Sequence, residues 1–523
     1  MTTRAHGVRW SRPVLALLAG VLSVPGWAPH GQWWLALLAY GALFVLLADC
    51  RSRRGAAVVG LAFGLGLHGV GSSWVFEAMR LRAQASLALA GLGTAVFVGY
   101  LALFTAAAGA LFHALVLPRR PRGMPVSAPR WVQLVAFAAA LTLGEHLRSL
   151  PFNGYTALSL GYVFVDTPAR LLLPVGGVYL ASLAGYAAAA LLGASALAGW
   201  RGQGSRAVGT PLLAMLALGA IVLLAPPPVW VQPHGDPLSF RLLQGNVRQV
   251  DKFRPENVQR QVSDYVQTIT AERADLVVTP ETAFPVFLNR LPVGVLERLR
   301  RFADDTGSHV FLGIGTLASN GVGRNSVLGI APFSGSLQRY DKIRLMPFGE
   351  YTPAGLSWFS ARLVIPMSDL APGVSSPSPF ELRIADAAAG PVTRVGALIC
   401  HEDLLGSELA HWLPQTHVLL NPSNLAWFEG TQALAQRLQV TQARALEAGR
   451  PVLRVANTGV SAHIDHLGRV REFAAEGVTG VVSGRVQGMQ GSTPYARWGD
   501  GLVAVLVGLA LVLAAWGARR RPG

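Results

Sequence analysis

The sequence predicts a polytopic α-helical membrane bundle of about eight spans joined to one α/β domain. Three observations predict it: eight separated apolar stretches of spanning length, arginine clusters at alternate ends of those stretches, and one long segment in which β-rich runs alternate with helical ones. Composition agrees. Of 523 residues, 51% are hydrophobic and only 14% charged, with a mean hydropathy of +0.40, which argues against an ordinary soluble protein. A net charge of +16 raises nucleic acid as a partner. The basic residues, however, lie beside apolar runs and not among stacking aromatics, so no nucleic-acid partner is expected.

A spanning helix needs about 20 mostly apolar residues. Such stretches begin near Val14, Trp33, Ala56, Ala85, Trp131, Leu171 and Pro211, and an eighth begins near Leu502. Residues 25–32, between the first two, read as a tight turn. The run over 85–117 is long enough to tilt or to extend beyond the bilayer. No cleavage pattern follows the first run, so it is expected to remain as an anchor. The arginines fix orientation. Arg4, Arg9 and Arg12 lie at the amino terminus; Arg51, Arg53 and Arg54 follow the second run; Arg119, Arg120 and Arg122 follow the fourth; Arg201 and Arg206 follow the sixth; Arg519, Arg520 and Arg521 form the carboxyl tail. These positions share one side if every run crosses once, and the positive-inside rule makes that side cytoplasmic. Both termini are then cytoplasmic. The expected division is a membrane domain with seven transmembrane helices over 1–230, an extracytoplasmic domain over 231–493, and a C-terminal transmembrane helix with a basic tail over 494–523.

The 231–493 segment carries most of the acidic residues. Strands are expected over 240–247, 276–279, 310–315, 326–330, 395–399, 418–420 and 452–455, and helices over 255–271, 293–306 and 431–448. The alternation argues for a sheet covered by helices. Residues 226–228 read as linker and 372–379 as surface loop. No fixed-period repeat is visible.

Three strings in this domain combine a reactive side chain with a strand end: Pro280-Glu281, Asp341-Lys342 leading to Gly349-Glu350, and Ile399-Cys400-His401-Glu402. Ligands of open α/β sheets gather beyond the carboxyl ends of strands. A thiol attacks carbonyls as thiolate and needs a base or a positive neighbour. Glu281 suits the base, and Lys342 suits stabilisation of thiolate and oxyanion, with the His401 N–H as a second oxyanion donor. Glu350 is placed to hold Lys342. Singly, each has another reading: Cys400 as buried filler, Glu281 as a helix cap, Lys342 as a solvated charge. His401 as base is disfavoured because adjacent strand residues point to opposite faces. The only other cysteine, Cys50, closes an apolar run far away in sequence, and no disulfide between the two is expected. No metal site is expected, since neither His-Glu-x-x-His nor clustered cysteine spacing occurs, and no cofactor is needed for this chemistry.

The three strings, in this order and roughly sixty residues apart, resemble the Glu–Lys–Cys triad of the nitrilase superfamily. Longer strings narrow the likeness to the apolipoprotein N-acyltransferase family: Leu243-Gln-Gly-Asn246, Met346-Pro-Phe-Gly-Glu350, Asn421-Pro-Ser-Asn424 with Ala426-Trp-Phe428, Arg444-Ala-Leu-Glu447, Gly449-Arg-Pro451 and Asn457-Thr-Gly459. Upstream, Gly71-Ser-Ser-Trp74, Glu145-His-Leu-Arg148 and Leu160-Gly-Tyr162 look like its membrane portion, so the resemblance spans almost the whole chain. It implies a nitrilase-like α-β-β-α sandwich in a bacterial inner membrane, facing the periplasm. It also implies Glu281 as general base, Lys342 as oxyanion and thiolate stabiliser and Cys400 as nucleophile, with Glu350, Glu402 and His401 in support. The implied reaction is ping-pong: Cys400 takes an acyl chain from a phospholipid, and the thioester acylates the α-amine of a diacylglyceryl-cysteine at an apolipoprotein's amino terminus. Phe253, Phe348, Trp427 and Phe428 are the expected lipid contacts, and a monomer is expected. Departures from the family pattern are His401 in place of a tyrosine, Phe253 in place of a tryptophan, Leu425 in place of an acidic residue, and no tryptophan after Pro151-Phe152, although Tyr155 is near. Two rivals remain: a membrane-tethered amidase acting on a small amide, and a transporter or scaffold whose extramembrane domain only binds. Glu145 and Arg148, near the outer end of the fifth run, read either as a functional intramembrane pair or as side chains snorkelling to the interface.

Overall fold

The computed structural model describes residues 4–116, 131–224, 226, 228–355, 357–360, 369–374, 377–383 and 391–519. Arg119, Arg120, Arg122, Arg520 and Arg521 lie outside the described residues, as do Pro227 of the expected linker and residues 375–376 of the expected surface loop. The chain divides into two compact units, one of residues 1–76, 87–228 and 500–523, the other of residues 77–86 and 229–499.

The first unit is helical. It contains α1 Arg4–Ser23, α2 Trp33–Ala48, α3 Arg53–Gly71, α4 Leu87–Val116, α5 Trp131–Arg148, α6 Leu173–Trp200 and α7 Ser205–Leu224, together with a C-terminal helix, Gly501–Arg519. A helix therefore stands at each of the eight apolar stretches. Four segments, Arg53–Gly71, Leu87–Val116, Pro168–Trp200 and Gly501–Ala518, are long and apolar enough to cross a membrane. Small residues let α1 and α3 approach closely. A Cβ on Gly20 would stand 2.1 Å from the Phe63 carbonyl oxygen, and one on Gly66 would stand 2.1 Å from that of Leu17.

Between α5 and α6 the chain is irregular, with three short 3-10 turns between Pro151 and Leu172. Buried backbone without a regular ladder must find partners elsewhere. Glu145 accepts from the Leu160 N–H at 2.7 Å and from the Tyr186 hydroxyl at 2.5 Å. Arg148 donates to the Ala157 carbonyl at 3.3 Å and to Ser159 Oγ at 3.0 Å. Both side chains are buried. The snorkelling reading of this pair is thereby overturned: they brace an irregular segment inside the bundle.

The second unit has, among its described residues, two large sheets face to face with helices outside, and a third sheet of two short strands. Its strands are β1 Val231–Pro233, β2 Leu238–Gln244, β3 Leu276–Val278, β4 Phe284–Phe287, β5 His309–Leu317, β6 Gly323–Ile330, β7 Leu337–Asp341, β8 Phe380–Leu382, β9 Thr393–Ala397, β10 Val418–Ser423, β11 Val452–Ala456, β12 Ser461–Ile464, β13 Val470–Ala474, β14 Gly480–Val486 and β15 Met489–Gly491. One sheet runs β14-β2-β3-β5-β6-β7 with β4 added beside β5, and the other runs β13-β12-β11-β10-β9-β8. Each has a parallel centre, β2-β3-β5 or β9-β10-β11, flanked by antiparallel strands.

Helices α8 Pro255–Thr270 and α9 Val295–Thr306 cover the first sheet. Val262, Val266 and Ile269 of α8 and Leu299 of α9 share a buried cluster with Val277, Leu312 and Leu328 of the strands. The opposite face of that sheet meets the second, as in the Phe311–Phe380 ring contact at 5.1 Å. Helix α10 Ala433–Ala448 packs on β11 and β12 of the second sheet. Central strands are thus buried on both faces, which is why β5 reads as an unbroken apolar run.

Candidate active site

The loops that carry the expected residues converge at the carboxyl ends of these strands. Glu281 follows β3, Lys342 follows β7 directly, and Cys400 stands three residues beyond β9. The loop after β3 sits tight against β5: a Cβ on Gly313 would lie 2.0 Å from the Pro280 carbonyl oxygen. This close approach aims Glu281 inward.

The expected trio is brought together. Lys342, 2% exposed, donates to Glu281 Oε1 at 3.0 Å and to Glu350 Oε1 at 3.0 Å. Its ammonium is therefore clamped between two carboxylates. The reading of Lys342 as a solvated charge fails. Burial alone would lower its pKa, but Glu281 and Glu350 outweigh that and hold it above the ordinary lysine value. Glu281 is buried, which raises its pKa, yet Lys342 and the Asn325 and Asn424 hydrogen bonds bring it below the usual carboxylate value. The Asn424 N–H donates to Glu281 Oε2 at 2.7 Å.

Cys400 is 7% exposed and has φ +52°, a left-handed conformation that costs a non-glycine residue about 1–3 kcal/mol. Two donors fix its carbonyl oxygen: Arg437 Nη2 at 2.8 Å and Asn421 Nδ2 at 3.1 Å. Burial, with Glu281 nearby, pushes the thiol up to about 12, against the opposing pull of Lys342 and Arg437. The resting sulfur is therefore a thiol. Proton transfer must accompany its attack.

Sequence reasoning expected β9 to run to residue 399, with His401 turned to the opposite face of a strand. The strand instead ends at Ala397, and Cys400–Leu404 is a 3-10 turn. His401 is buried, and both ring nitrogens lack a hydrogen-bond partner among the described residues. Burial and the adjacent Lys342 and Arg437 hold it well below the ordinary histidine pKa, so it is a neutral ring. Glu402, fully buried, is a clamp. It accepts from the N–H groups of Ile343 at 2.7 Å, Arg344 at 3.0 Å and Ile399 at 2.6 Å, and from the Tyr340 hydroxyl at 2.8 Å. It thereby ties the Lys342 loop to the Cys400 loop. Burial pushes its carboxyl up to about 7, against the pull of these donors.

Of the expected lipid contacts, Phe253, Phe348 and Trp427 are half-buried and Phe428 is buried. Among the described residues no group of three or more His, Cys, Asp or Glu side chains has metal-holding geometry.

Three contributors, Asn325, Lys252 and Arg437, escaped the sequence reading, and a fourth, Asn421, entered it only within a string that carries the resemblance. Asn325 Nδ2 donates at 2.7 Å to Glu281 and at 2.7 Å to Glu350, bridging the two carboxylates. Lys252 Nζ donates to the Glu281 carbonyl at 3.1 Å. Arg437 and Asn421 hold the Cys400 carbonyl. The available signal was a polar residue at the end of an apolar strand, as in Arg324-Asn325-Ser326.

Such a site joins a buried carboxylate, an ammonium paired with two carboxylates and a thiol, groups of the kinds that acyl transfer through a thioester uses. The chain is similar to known proteins along most of its length. Residues 19–191 match the family described as apolipoprotein N-acyltransferase N-terminal domain, and residues 242–495 match carbon-nitrogen hydrolase. A protein named apolipoprotein N-acyltransferase from Ralstonia nicotianae is 36% identical, covering 99% of this chain and 95% of its own length. One from Bordetella bronchiseptica is 34% identical, with 99% of each covered. Among solved structures, an amidase from Nesterenkonia sp. is 15% identical with a TM-score of 0.36, covering 53% of this chain and 98% of that one.

Proposed function

This chain belongs to the apolipoprotein N-acyltransferase family, and we infer that Glu281, Lys342 and Cys400 carry its acyl transfer. It is a membrane-embedded bacterial acyltransferase of lipoprotein biosynthesis. The observation that carries the assignment of roles is the buried Glu281–Lys342–Glu350 cluster within Coulombic range of the Cys400 sulfur.

In the first half-reaction Cys400 Sγ attacks the ester carbonyl carbon of a phospholipid as Glu281 takes the thiol proton. The tetrahedral oxyanion is held by Lys342 Nζ and the His401 N–H. Collapse breaks the C–O bond, the proton passes from Glu281 to the leaving oxygen, and a lysophospholipid departs. In the second, the α-amine of a diacylglyceryl-cysteine attacks the thioester. Glu281 takes the amine proton, the C–S bond breaks, and the proton returns to sulfur. Phe253, Phe348, Trp427 and Phe428 line the acyl path in this reading.

The eight apolar helices are read as eight spans, with both termini cytoplasmic in the inner membrane, the 231–493 domain periplasmic, and the protein a monomer. Support for this topology, though not for the monomer, comes from the parity of the helices and the placement of the arginines.

Mass spectrometry of lipoprotein amino termini, in cells depleted of the protein, tests the function. Diacylated forms accumulate, and wild type rescues whereas Cys400→Ala does not. Rescue by Cys400→Ala sinks the assignment of the nucleophile.

A further inference from the structure

A second lysine lies in this site. Lys252 ends the short helical turn Gln249–Lys252 in the loop after β2 and is 2% exposed. The loop is fastened to strand ends of the second sheet and to α8: Asn457 Nδ2, after β11, donates to the Val247 carbonyl at 2.6 Å, Asn424 Nδ2, after β10, to Gln249 Oε1 at 2.9 Å, and Gln261 Nε2 of α8 to the Lys252 carbonyl at 2.9 Å. The backbone is thus held independently of the Lys252 side chain. That side chain reaches inward to donate to the Glu281 main-chain carbonyl at 3.1 Å.

Burying an ammonium is expensive unless it is paired. One carbonyl does not repay that, and a methionine would fill the same space without the penalty. The groups within electrostatic reach of Lys252 are the Glu281 carboxylate, from the loop after β3, and the Cys400 thiol, which gains charge only as it reacts, from the loop after β9. On its other flanks Gln261 and Gln249 are neutral, and its neighbour Asp251 faces Arg254 at 3.5 Å. The base and the nucleophile of the proposed reaction are therefore the two groups that a charge on Lys252 would influence.

We propose that Lys252 is a positioning residue of the acyl-transfer site, a second buried ammonium that fixes the Glu281 main chain and adds positive charge beside the Cys400 sulfur. This rests on the reading of Cys400 as nucleophile and extends it. As negative charge leaves Glu281 for the sulfur and then the oxyanion, Lys342, bonded to the Glu281 carboxylate, and Lys252, bonded to its main-chain carbonyl, both act on it. A lost direct oxyanion donor costs about 10²–10³ in rate; acting through the Glu281 backbone and at longer range, Lys252 is expected to contribute about tenfold.

The test uses the full chain in detergent with a phospholipid bearing a fluorescent headgroup and no acceptor. The readout is the single-turnover burst of labelled lysophospholipid from pH 6 to pH 9. Burial pushes the Lys252 ammonium down to about 7, so its charge is lost across this window. The wild-type burst is expected to exceed that of Lys252→Met about tenfold at pH 6, with the ratio falling toward one by pH 9. Lys252→Arg keeps its charge throughout, so its burst relative to wild type rises over the same interval. A purely structural role predicts ratios that do not change with pH. Flat ratios for either variant, or a Lys252→Met burst equal to wild type at pH 6, overturn the proposal. If Lys252→Met fails to fold, the Lys252→Arg ratio decides alone. Cys400→Ala, run alongside, must abolish the burst; a surviving burst removes the nucleophile and not the lysine.

Discussion

Replacing Glu402 by glutamine changes one oxygen to an NH2 group and nothing else in shape. Its cost can be counted donor by donor. Oε1 accepts from the Ile343 and Arg344 N–H groups and Oε2 from the Ile399 N–H, while the Tyr340 hydroxyl bridges both oxygens. The new NH2 must face one of these sets. Turned toward Ile399 it orphans one buried N–H; turned toward Ile343 and Arg344 it orphans two. The hydroxyl rotates to suit either. The lower-cost orientation thus leaves one buried donor unsatisfied, about 1–3 kcal/mol. At about 2–4 °C per kcal/mol for a domain of 150–250 residues, that is a fall of about 2–12 °C in Tm. Glu402→Ala orphans four donors at once, about 4–12 kcal/mol, comparable with the entire stability of a domain, about 5–15 kcal/mol.

The assay is thermal exposure of Cys400 in the full chain in detergent, measured by alkylation and mass spectrometry of its peptide. Glu402→Gln should expose the thiol several degrees earlier than wild type, and Glu402→Ala should leave it exposed at all temperatures. Acyl transfer should fall in both, because the same carboxylate joins the Lys342 loop to the Cys400 loop. If Glu402→Gln melts within 1 °C of wild type and keeps full activity, the clamp argument is wrong.

Two further predictions concern the same cluster. With its thiol pushed up to about 12, alkylation of Cys400 should rise about tenfold per pH unit between pH 7 and pH 9, since the thiolate fraction grows throughout that window; a rate that bends over with a midpoint of about 8.5 would show an unperturbed thiol. Asn325→Leu removes a hydrogen bond from both Glu281 and Glu350, each of about 1.5–3 kcal/mol to a charged acceptor. Its acyl-transfer rate should fall at least tenfold with the domain still folded, and an unchanged rate would show that the carboxylates need no bridge.

The elements legible in the sequence share one physical cause. Strands β3, β5, β9 and β10 each hold an uninterrupted buried apolar stretch, as in residues 395–397 of β9 and 418–420 of β10, and β2 and β11 do so apart from one buried arginine each, Arg241 and Arg454. Helices α8 and α9 announce themselves by one apolar stripe and a polar remainder. What sequence reasoning missed is β4 and, apart from β6, the antiparallel periphery. β13 is mostly exposed and carries no buried stripe, and β8 and β15 have three residues each without the all-apolar content that marks the equally short β3. In the site, Glu281, Lys342 and Cys400 were legible because reactive types stood at strand ends. Asn325 and Lys252 were not, because an asparagine beside an arginine and a lysine beside an aspartate look like surface. Only the fold turns them inward.

The role of Glu350 emerges from counting charges through the proposed reaction. At rest the cluster holds two carboxylates, Glu281 and Glu350, and the Lys342 ammonium between them. When Glu281 takes the thiol proton it becomes neutral, and its negative charge reappears on the substrate oxygen. The number of charges is unchanged; one has moved. Had Glu281 been the sole partner of Lys342, protonating it would leave a buried ammonium unpaired just as the oxyanion forms, and the lysine would be pressed to lose its proton. In the proposed mechanism Glu350 prevents this. It keeps Lys342 charged in both states, and its other oxygen is fixed by the Met346 N–H at 2.8 Å, so it does not move with the reaction. A donor that stays charged and stationary while charge arrives needs no reorganisation, the condition under which electrostatic stabilisation is strongest.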